Sequence, residues 1–189
     1  NWSEASHSNG IAAIQMFDGE VYRGLAYDKW SESASSFAQD HLRILSGLYG
    51  ALRPFDRILP YRLEMGTSLA VARKKNLYAF WGDRIYRHML EGQNASWFLD
   101  LASKEYGQVI HSFIPKDKLH QVDFLEDKGD GKAPRAIQVY LKQARGMLAR
   151  FALEEAVEHP EELREFEEKG YQFDPSRSTL HKTVFLRHL

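Results

Sequence analysis

Blocks of apolar and polar residues change their period along the chain, which is typical of a protein that mixes strands with helices. A mostly apolar run over residues 10–17 is closed by Asp18 and Gly19, and it predicts a buried strand followed by a turn. Two-residue alternation predicts strands over 119–125 and 135–141, on either side of a turn rich in Gly and Asp. A short buried strand is expected over 96–101 and a closing hairpin over 171–189.

Helical spacing of apolar positions indicates four further elements. A first helix is expected from Ser33 or Ser35 to Ser46, and a second from a cap at Asn76 to Leu90. A third is expected over 142–157, followed by a short Glu-rich helix that begins at Pro160 and ends by residue 170. Because strands and helices interleave throughout, we predict a mixed α/β fold in a single domain over residues 1–189.

Charge is distributed unevenly behind a formal net charge of −1. Residues 41–75 hold seven Arg or Lys against two acidic residues, and residues 132–150 hold five against none. Residues 152–168 hold eight Glu and one Arg. The near-neutral total argues against a protein that coats nucleic acid indiscriminately, while the two basic segments are candidates for binding phosphate groups.

Several kinds of chemistry are excluded by composition. The chain has no cysteine, which removes disulfides, thiol nucleophiles, iron–sulfur clusters and zinc knuckles. Its eight histidines show neither HExxH nor HxH spacing, so we expect no metal site and no cofactor, and direct iron binding is the weakest option. No apolar run approaches the roughly 20 residues that span a bilayer, and no signal peptide is visible, so we expect a cytoplasmic protein without a membrane partner.

A glycine-containing segment after the first predicted helix resembles the turn of a helix-hairpin-helix. Glycine suits such a turn because it adopts positive φ freely and lets a backbone N–H approach a phosphate closely. Arg43 and Arg53 flank the segment and would supply charge. The alternative is that the glycines only end a helix and turn the chain, since Pro54 and Pro60 leave little room for a second helix. The candidate residues are Ser46, Gly47, Leu48, Tyr49 and Gly50.

Two other segments offer side chains suited to anions. Tyr61 could donate a hydrogen bond and Arg62 could contact a phosphate in bidentate fashion, unless Glu64 merely pairs with Arg62 in a loop. Lys142 and Arg145 share one face of a predicted helix, where they could contact phosphate or simply be solvated.

Four further polar side chains support a different hypothesis, that of an enzyme pocket. Together with Tyr61, Arg62 and the basic pair of the late helix, four side chains could line a pocket and perform acid–base work on a phosphorylated small molecule. Each also has a structural explanation, such as a helix cap or an exposed acid. The four are Glu64, Asp83, Ser103 and Glu105.

Six ordered motifs give the chain a family resemblance. They are HLRILSGLYGALRP at 41–54, PYRLEMG at 60–66, LYAFWGD at 77–83, LASKEY at 101–106, KQARGM at 142–147 and GYQFD at 170–174. In this order they resemble the YaaA family of peroxide-stress proteins over essentially all 189 residues. Family members open with a strand and a Ser-Pro-Ala-Lys segment to which nothing here corresponds, so we expect that N-terminal portion of the family to be missing.

The resemblance implies an α/β domain of unusual topology with a helix-hairpin-helix-like element and a positively charged cleft. It also implies binding to double-stranded or distorted DNA, and protection from hydrogen peroxide through less free intracellular iron. By the resemblance, the hairpin role falls on residues 46–50. The cleft would be formed by Arg43, Arg53, Arg62, Lys142 and Arg145.

Three functional hypotheses therefore stand side by side. The first is a DNA-binding stress protein without chemistry of its own, which contacts mainly phosphates and DNA shape. The second is an enzyme that acts on a nucleotide or another phosphorylated small molecule. The third is an interaction module that uses the Glu-rich segment 161–168, although such segments are usually solvated helix faces.

Overall fold

The computed structural model describes residues 10–91 and 95–189, and within these ranges the chain has a mixed α/β fold, as expected. The chain divides into two compact units, each assembled from separate stretches of sequence. The first unit comprises the described parts of 1–17, 38–96 and 102–116. The second unit comprises 18–37, 97–101 and 117–189.

A four-stranded mixed sheet forms the centre of the second unit. Its strands are β5 (Phe98–Asp100), β6 (Leu119–Asp127), β7 (Gln172–Phe173) and β8 (Lys182–His188). Their order is β5-β6-β8-β7, with β5, β6 and β8 parallel and β7 antiparallel to β8. Alternate residues of β6 are buried, which confirms the pattern predicted from its sequence.

Aromatic side chains fill the core of the second unit. Phe124 on β6 and Phe185 on β8 are paired in register, and their rings stack with centroids 5.2 Å apart. Phe166 and Tyr171 pack edge-on against Phe124 at 6.1 and 5.1 Å. Such arrangements are favoured by the aromatic quadrupole and add to the burial of apolar area.

The helices of the second unit include two that touch through their backbones. These are α2 (Glu20–Leu25) and α7 (Gln138–Glu154). Gly24 and Gly146 lie at the contact, and a Cβ on Gly146 would stand 1.9 Å from the carbonyl oxygen of Val21. Only glycine permits this approach. A 3₁₀ helix at Pro160–Glu165 takes the place of the longer Glu-rich helix that was expected.

A buried ion pair anchors β6 to β8. The Glu126 carboxylate is 1% exposed and accepts hydrogen bonds from the Tyr171 hydroxyl and from Nε of Arg187, the latter at 2.7 Å. The guanidinium of Arg187 lies 4.6 and 4.7 Å from the ring centroids of Tyr140 and Tyr171. Burial, followed by the hydrogen bond to Glu126, raises the pKa of Tyr171 well above its ordinary value.

Short strands and helices make up the first unit. It contains the antiparallel pair β1 (Ile11–Ala12) and β4 (Arg57–Ile58), and the hairpin of β2 (Ile44–Ser46) and β3 (Gly50–Leu52). Its complete helices are α1 (Ala13–Met16), α4 (Leu77–Trp81), α5 (Arg84–Leu90) and α6 (Lys104–His111). Helix α3 (Glu32–His41) leads into β2.

The prediction of a helix-hairpin-helix is wrong for residues 32–52. The first helix ends at His41 rather than Ser46, and Ser46 and Gly50 are partners in a β-hairpin with a strand on each side of its turn. No helix follows Gly50 in this segment, because residues 50–52 pair with 44–46. The backbone amides are thereby satisfied by strand pairing instead of by helical hydrogen bonds.

Three other sequence predictions are also corrected. The predicted strand over 10–17 is only the two residues of β1, followed by the single helical turn α1. The predicted strand over 135–141 is reduced to one bridge between Glu126 and Arg135, since α7 begins at Gln138. The predicted helix 76–90 is capped by Asn76 as expected but breaks at Gly82, whose φ is +52°.

Candidate functional site

The turn between β2 and β3 is built for close packing inside the first unit. Gly50 follows the turn with a φ of +81°, a conformation that favours glycine. A Cβ on Gly47 would lie 2.5 Å from the carbonyl oxygen of Leu63, and one on Gly50 would lie 2.9 Å from the ring of Trp81. Trp81 also donates its indole N–H to the Gly47 carbonyl at 3.0 Å. Glycine is therefore required here by packing.

Ser46 sits at the base of this turn and is fully buried. Its Oγ accepts the backbone N–H of Tyr49 at 2.9 Å and lies 2.5 Å from the hydroxyl oxygen of Tyr61. The rings of Tyr49 and Tyr61 meet edge to face with centroids 5.3 Å apart. The sequence motifs at 41–54 and 60–66 thus converge on one hydrogen-bonded centre. Leu48 is exposed on the turn.

Tyrosine hydroxyls near this centre are held in the protonated form. Burial raises the pKa of Tyr61, and its hydrogen bond with Ser46 only partly offsets this rise. Burial also raises the pKa of Tyr106, with Tyr61, Glu105 and Glu64 contributing in the same direction. The two phenols can therefore donate hydrogen bonds at neutral pH. Tyr106 closes the LASKEY motif, and its position after a predicted strand already made it a candidate to line a pocket.

Several polar candidates have structural partners. Glu105 accepts the backbone N–H of Gly66 at 2.7 Å, which ties α6 to the segment 60–66. Ser103 caps α6 by accepting the N–H of Tyr106 at 3.4 Å. Asp83 pairs with Arg87 one helical turn along α5. Glu64 is exposed.

Arg43 has a different role from the one its sequence position suggested. Its guanidinium donates to the carbonyl oxygens of Gln39 and Leu42, which satisfies the C-terminal end of α3. Burial lowers the pKa of Arg43, and the neighbouring Arg53 lowers it further, while Asp56 and Asp40 act in the opposite direction. Arg43 thus positions the chain that leads to Arg53.

Cations dominate the exposed surface of the first unit. Over its described residues the unit carries 11 Lys and Arg against 6 Asp and Glu, a net charge of +5. The second unit carries 14 against 19, a net charge of −5. Nine exposed cations of the first unit form no ion pair with any described residue: Arg53, Arg57, Arg62, Arg73, Lys74, Lys75, Arg84, Lys104 and Lys116.

The late basic pair belongs to the second unit. Lys142 is exposed on α7, and Arg145 is half-buried one turn along the same helix. The Nε of Arg145 is buried and meets no hydrogen-bond partner within the described residues. Arg150, farther along α7, is occupied by Glu168, because its Nη2 donates to both carboxylate oxygens at 2.8 and 2.7 Å.

Comparison with known families identifies the chain. A family model described as peroxide stress protein YaaA matches residues 1–177. The chain belongs to the peroxide stress protein YaaA family. This membership confirms the resemblance drawn from the six motifs, and it is consistent with a role in oxidative stress.

Two kinds of feature are absent from the described residues. Across residues 10–91 and 95–189, no three His, Asp or Glu side chains are grouped as they would be to hold a metal ion. Within the same ranges, none of the helices has the length and apolar character required to cross a membrane.

Proposed function

We propose that this member of the YaaA family acts in peroxide stress by binding double-stranded or distorted DNA through its phosphates. The observation that carries the proposal is the set of exposed, unpaired cations on a unit of net charge +5. A cation that forms no internal pair loses no partner when it meets a phosphate, and it releases a counterion from the DNA. Such contacts position a protein on a duplex without reading its sequence.

Arg53, Arg57 and Arg62 are the principal phosphate contacts in this proposal. All three are exposed. The backbone of Arg53 is held in place, because its N–H donates a hydrogen bond to the Asp56 carboxylate at 2.7 Å. Arg43, which follows α3, lies near the same stretch, since Arg53 and Asp56 both influence its pKa. Lys142, which is exposed, and Arg145, which is half-buried, are the candidate contacts of the second unit.

Phosphate neutralisation also gives a physical route to reduced iron damage. Duplex DNA holds a condensed layer of cations around its phosphates, and protein cations displace that layer. Ferrous ions held there would be displaced with the rest, so the reaction of iron with peroxide would move away from the bases. The protection proposed here needs no metal site in the protein.

A salt titration of duplex binding tests the proposal. Replacing Arg53, Arg57 and Arg62 by Gln should reduce the slope of log affinity against log salt by about 0.9 per lost contact, about 2.7 in total. The matched control replaces Lys29, Arg164 and Lys169 of the second unit by Gln, with the same loss of charge and no expected change in slope. A wild-type slope near zero would exclude phosphate binding. Equal slopes for the two triple variants would exclude this location.

A second candidate function rests on the buried centre at Ser46. A short hydrogen bond between Ser46 and Tyr61, with the phenol of Tyr106 nearby, is a polar arrangement that DNA binding does not require. It favours recognition of a nucleotide or another phosphorylated small molecule by uncharged donors. Under this alternative, Tyr61→Phe would abolish binding of a mononucleotide, whereas under the DNA proposal it would leave the salt slope of duplex binding unchanged.

A further inference from the structure

A tight turn of unusual composition lies between the segment 60–66 and helix α4. Val71 and Lys74 exchange two backbone hydrogen bonds, of 3.0 and 2.9 Å, and enclose a two-residue loop. Both loop residues have positive φ, 46° for Ala72 and 63° for Arg73. Positive φ at both central positions is the type I′ arrangement, in which Asn and Gly are the preferred residues.

Neither loop residue is Gly or Asn, so the backbone strain that this conformation imposes is not relieved. A side chain with a Cβ is disfavoured in the left-handed region, and two such residues stand here in succession. Strain of this kind persists where the surroundings enforce it, and it concentrates at functional positions. The turn is fixed on its C-terminal side, because Asn76 caps α4 and Leu77 is buried immediately after it.

The turn carries cationic side chains that are not stabilised by any ion pair within the described part of the protein. Arg73, Lys74 and Lys75 are all exposed and form no ion pair with any residue in the described ranges. The flanking residues 66–70 are exposed as well, so the turn is surrounded by solvent. Arg73 therefore occupies a strained position without a compensating contact in its own unit.

We propose that the turn at 71–74 is a DNA-contacting tip, in which Arg73 binds a backbone phosphate and Lys74 and Lys75 neutralise its neighbours. The proposal rests on the proposed function and specifies which element meets the duplex. The hairpin of β2 and β3 is less suited to that role, because its glycines are covered by Leu63 and Trp81. An arginine at the tip of an exposed turn can approach a phosphate in bidentate geometry without burying other surface.

Two glycine substitutions separate the charge of the tip from its strain. Ala72→Gly relieves strain and keeps the charge, whereas Arg73→Gly relieves strain and removes one cation. Both variants should fold, with melting temperatures no lower than that of the wild type. Arg73→Gly should reduce the log–log salt slope for a duplex by about 0.9, so that between 50 and 200 mM salt its affinity falls about 3.5-fold less than that of the wild type. Ala72→Gly should retain the wild-type slope.

The possible outcomes are distinct. Equal slopes for wild type, Ala72→Gly and Arg73→Gly, all clearly negative, would overturn the assignment of the tip and leave the proposed function standing. A wild-type slope near zero would instead overturn the proposed function. A loss of slope for Arg73→Gly with single-stranded RNA but not with duplex DNA would assign the tip to RNA and overturn the proposal as stated. The variant Lys74→Gln with Lys75→Gln provides a second measurement, with an expected slope reduction of about 1.8.

Discussion

The contact between α2 and α7 predicts a large cost for adding a single methyl group. In Gly146→Ala the new Cβ would stand 1.9 Å from the Val21 oxygen, and in Gly24→Ala it would stand 2.1 Å from the Gln143 oxygen. Carbon and oxygen atoms rarely approach closer than about 3.3 Å, so each substitution must move the helices apart by more than about 1 Å. The obstructing atoms belong to the backbone and cannot rotate away.

The expected magnitude follows from two opposing effects. Forcing a methyl group into a packed interior costs about 1–3 kcal/mol, and more where the neighbour is rigid. Alanine recovers up to about 1 kcal/mol through its higher helix propensity. We therefore expect each single variant to lower the free energy of unfolding by about 2 kcal/mol. One separation of the helices accommodates both methyl groups, so the double variant should cost less than the sum by about 1 kcal/mol or more.

Urea unfolding followed by tryptophan fluorescence measures these free energies. Val139→Ala is the control, because Val139 lies on the same helix and is 45% exposed. Its free energy of unfolding should remain within about 0.5 kcal/mol of the wild type. If Gly146→Ala stayed within the same margin, or if the double variant were fully additive, backbone contact between the two helices would not be the reason for these glycines.

Two further predictions concern the buried ionisable groups. Glu126→Gln should lower the free energy of unfolding by about 3–5 kcal/mol, because it leaves the largely buried guanidinium of Arg187 without its counter-charge. Asp123→Asn breaks the exposed pair with Lys182 on the same two strands and should cost at most about 1 kcal/mol. Similar losses for the two variants in urea would contradict the assigned burial of Glu126. Because the pKa values of Tyr61, Tyr106 and Tyr171 are raised in the folded state, their contribution to stability is fully present below the ordinary tyrosine value of about 10 and is lost as the pH rises beyond it. An absorbance titration at alkaline pH should show these tyrosines ionising at a higher pH than an ordinary tyrosine. A single transition near pH 10 for all nine tyrosines would refute the raised pKa values.

Much of the second unit could be predicted from its sequence, because the apolar pattern of a long strand or helix shows clearly which of its residues are buried. Strand β6 alternates over nine residues, and its buried face is unambiguous. The segment 135–141 alternates as well but forms mainly the start of α7. Val139 and Tyr140 remain substantially exposed there, so the apolar character of these two residues did not mean that they are buried. Pattern alone could not distinguish these two cases.

The candidate site was predicted less completely, for a physical reason. The segment 44–52 is too short for its periodicity to distinguish a helix from a strand. Its residues form strands because 44–46 pair with 50–52 in the hairpin. Arg43 could have been assigned to the end of α3, since basic residues often bind the last carbonyls of a helix. The hydrogen bond between Ser46 and Tyr61 links positions 15 residues apart, and no spacing rule specifies it.

The order of strands in the second unit has a consequence for synthesis. Strand β8 is the last of the four strands to be synthesised, yet it lies inside the sheet, between β6 and β7. Until residues 182–188 are synthesised, β6 lacks one of its two parallel partners and Phe124 lacks the ring on which it stacks. Because native pairing must wait for this later segment, nascent chains should expose an unpaired strand edge while residues 128–181 are made, and chaperones could bind it during that interval.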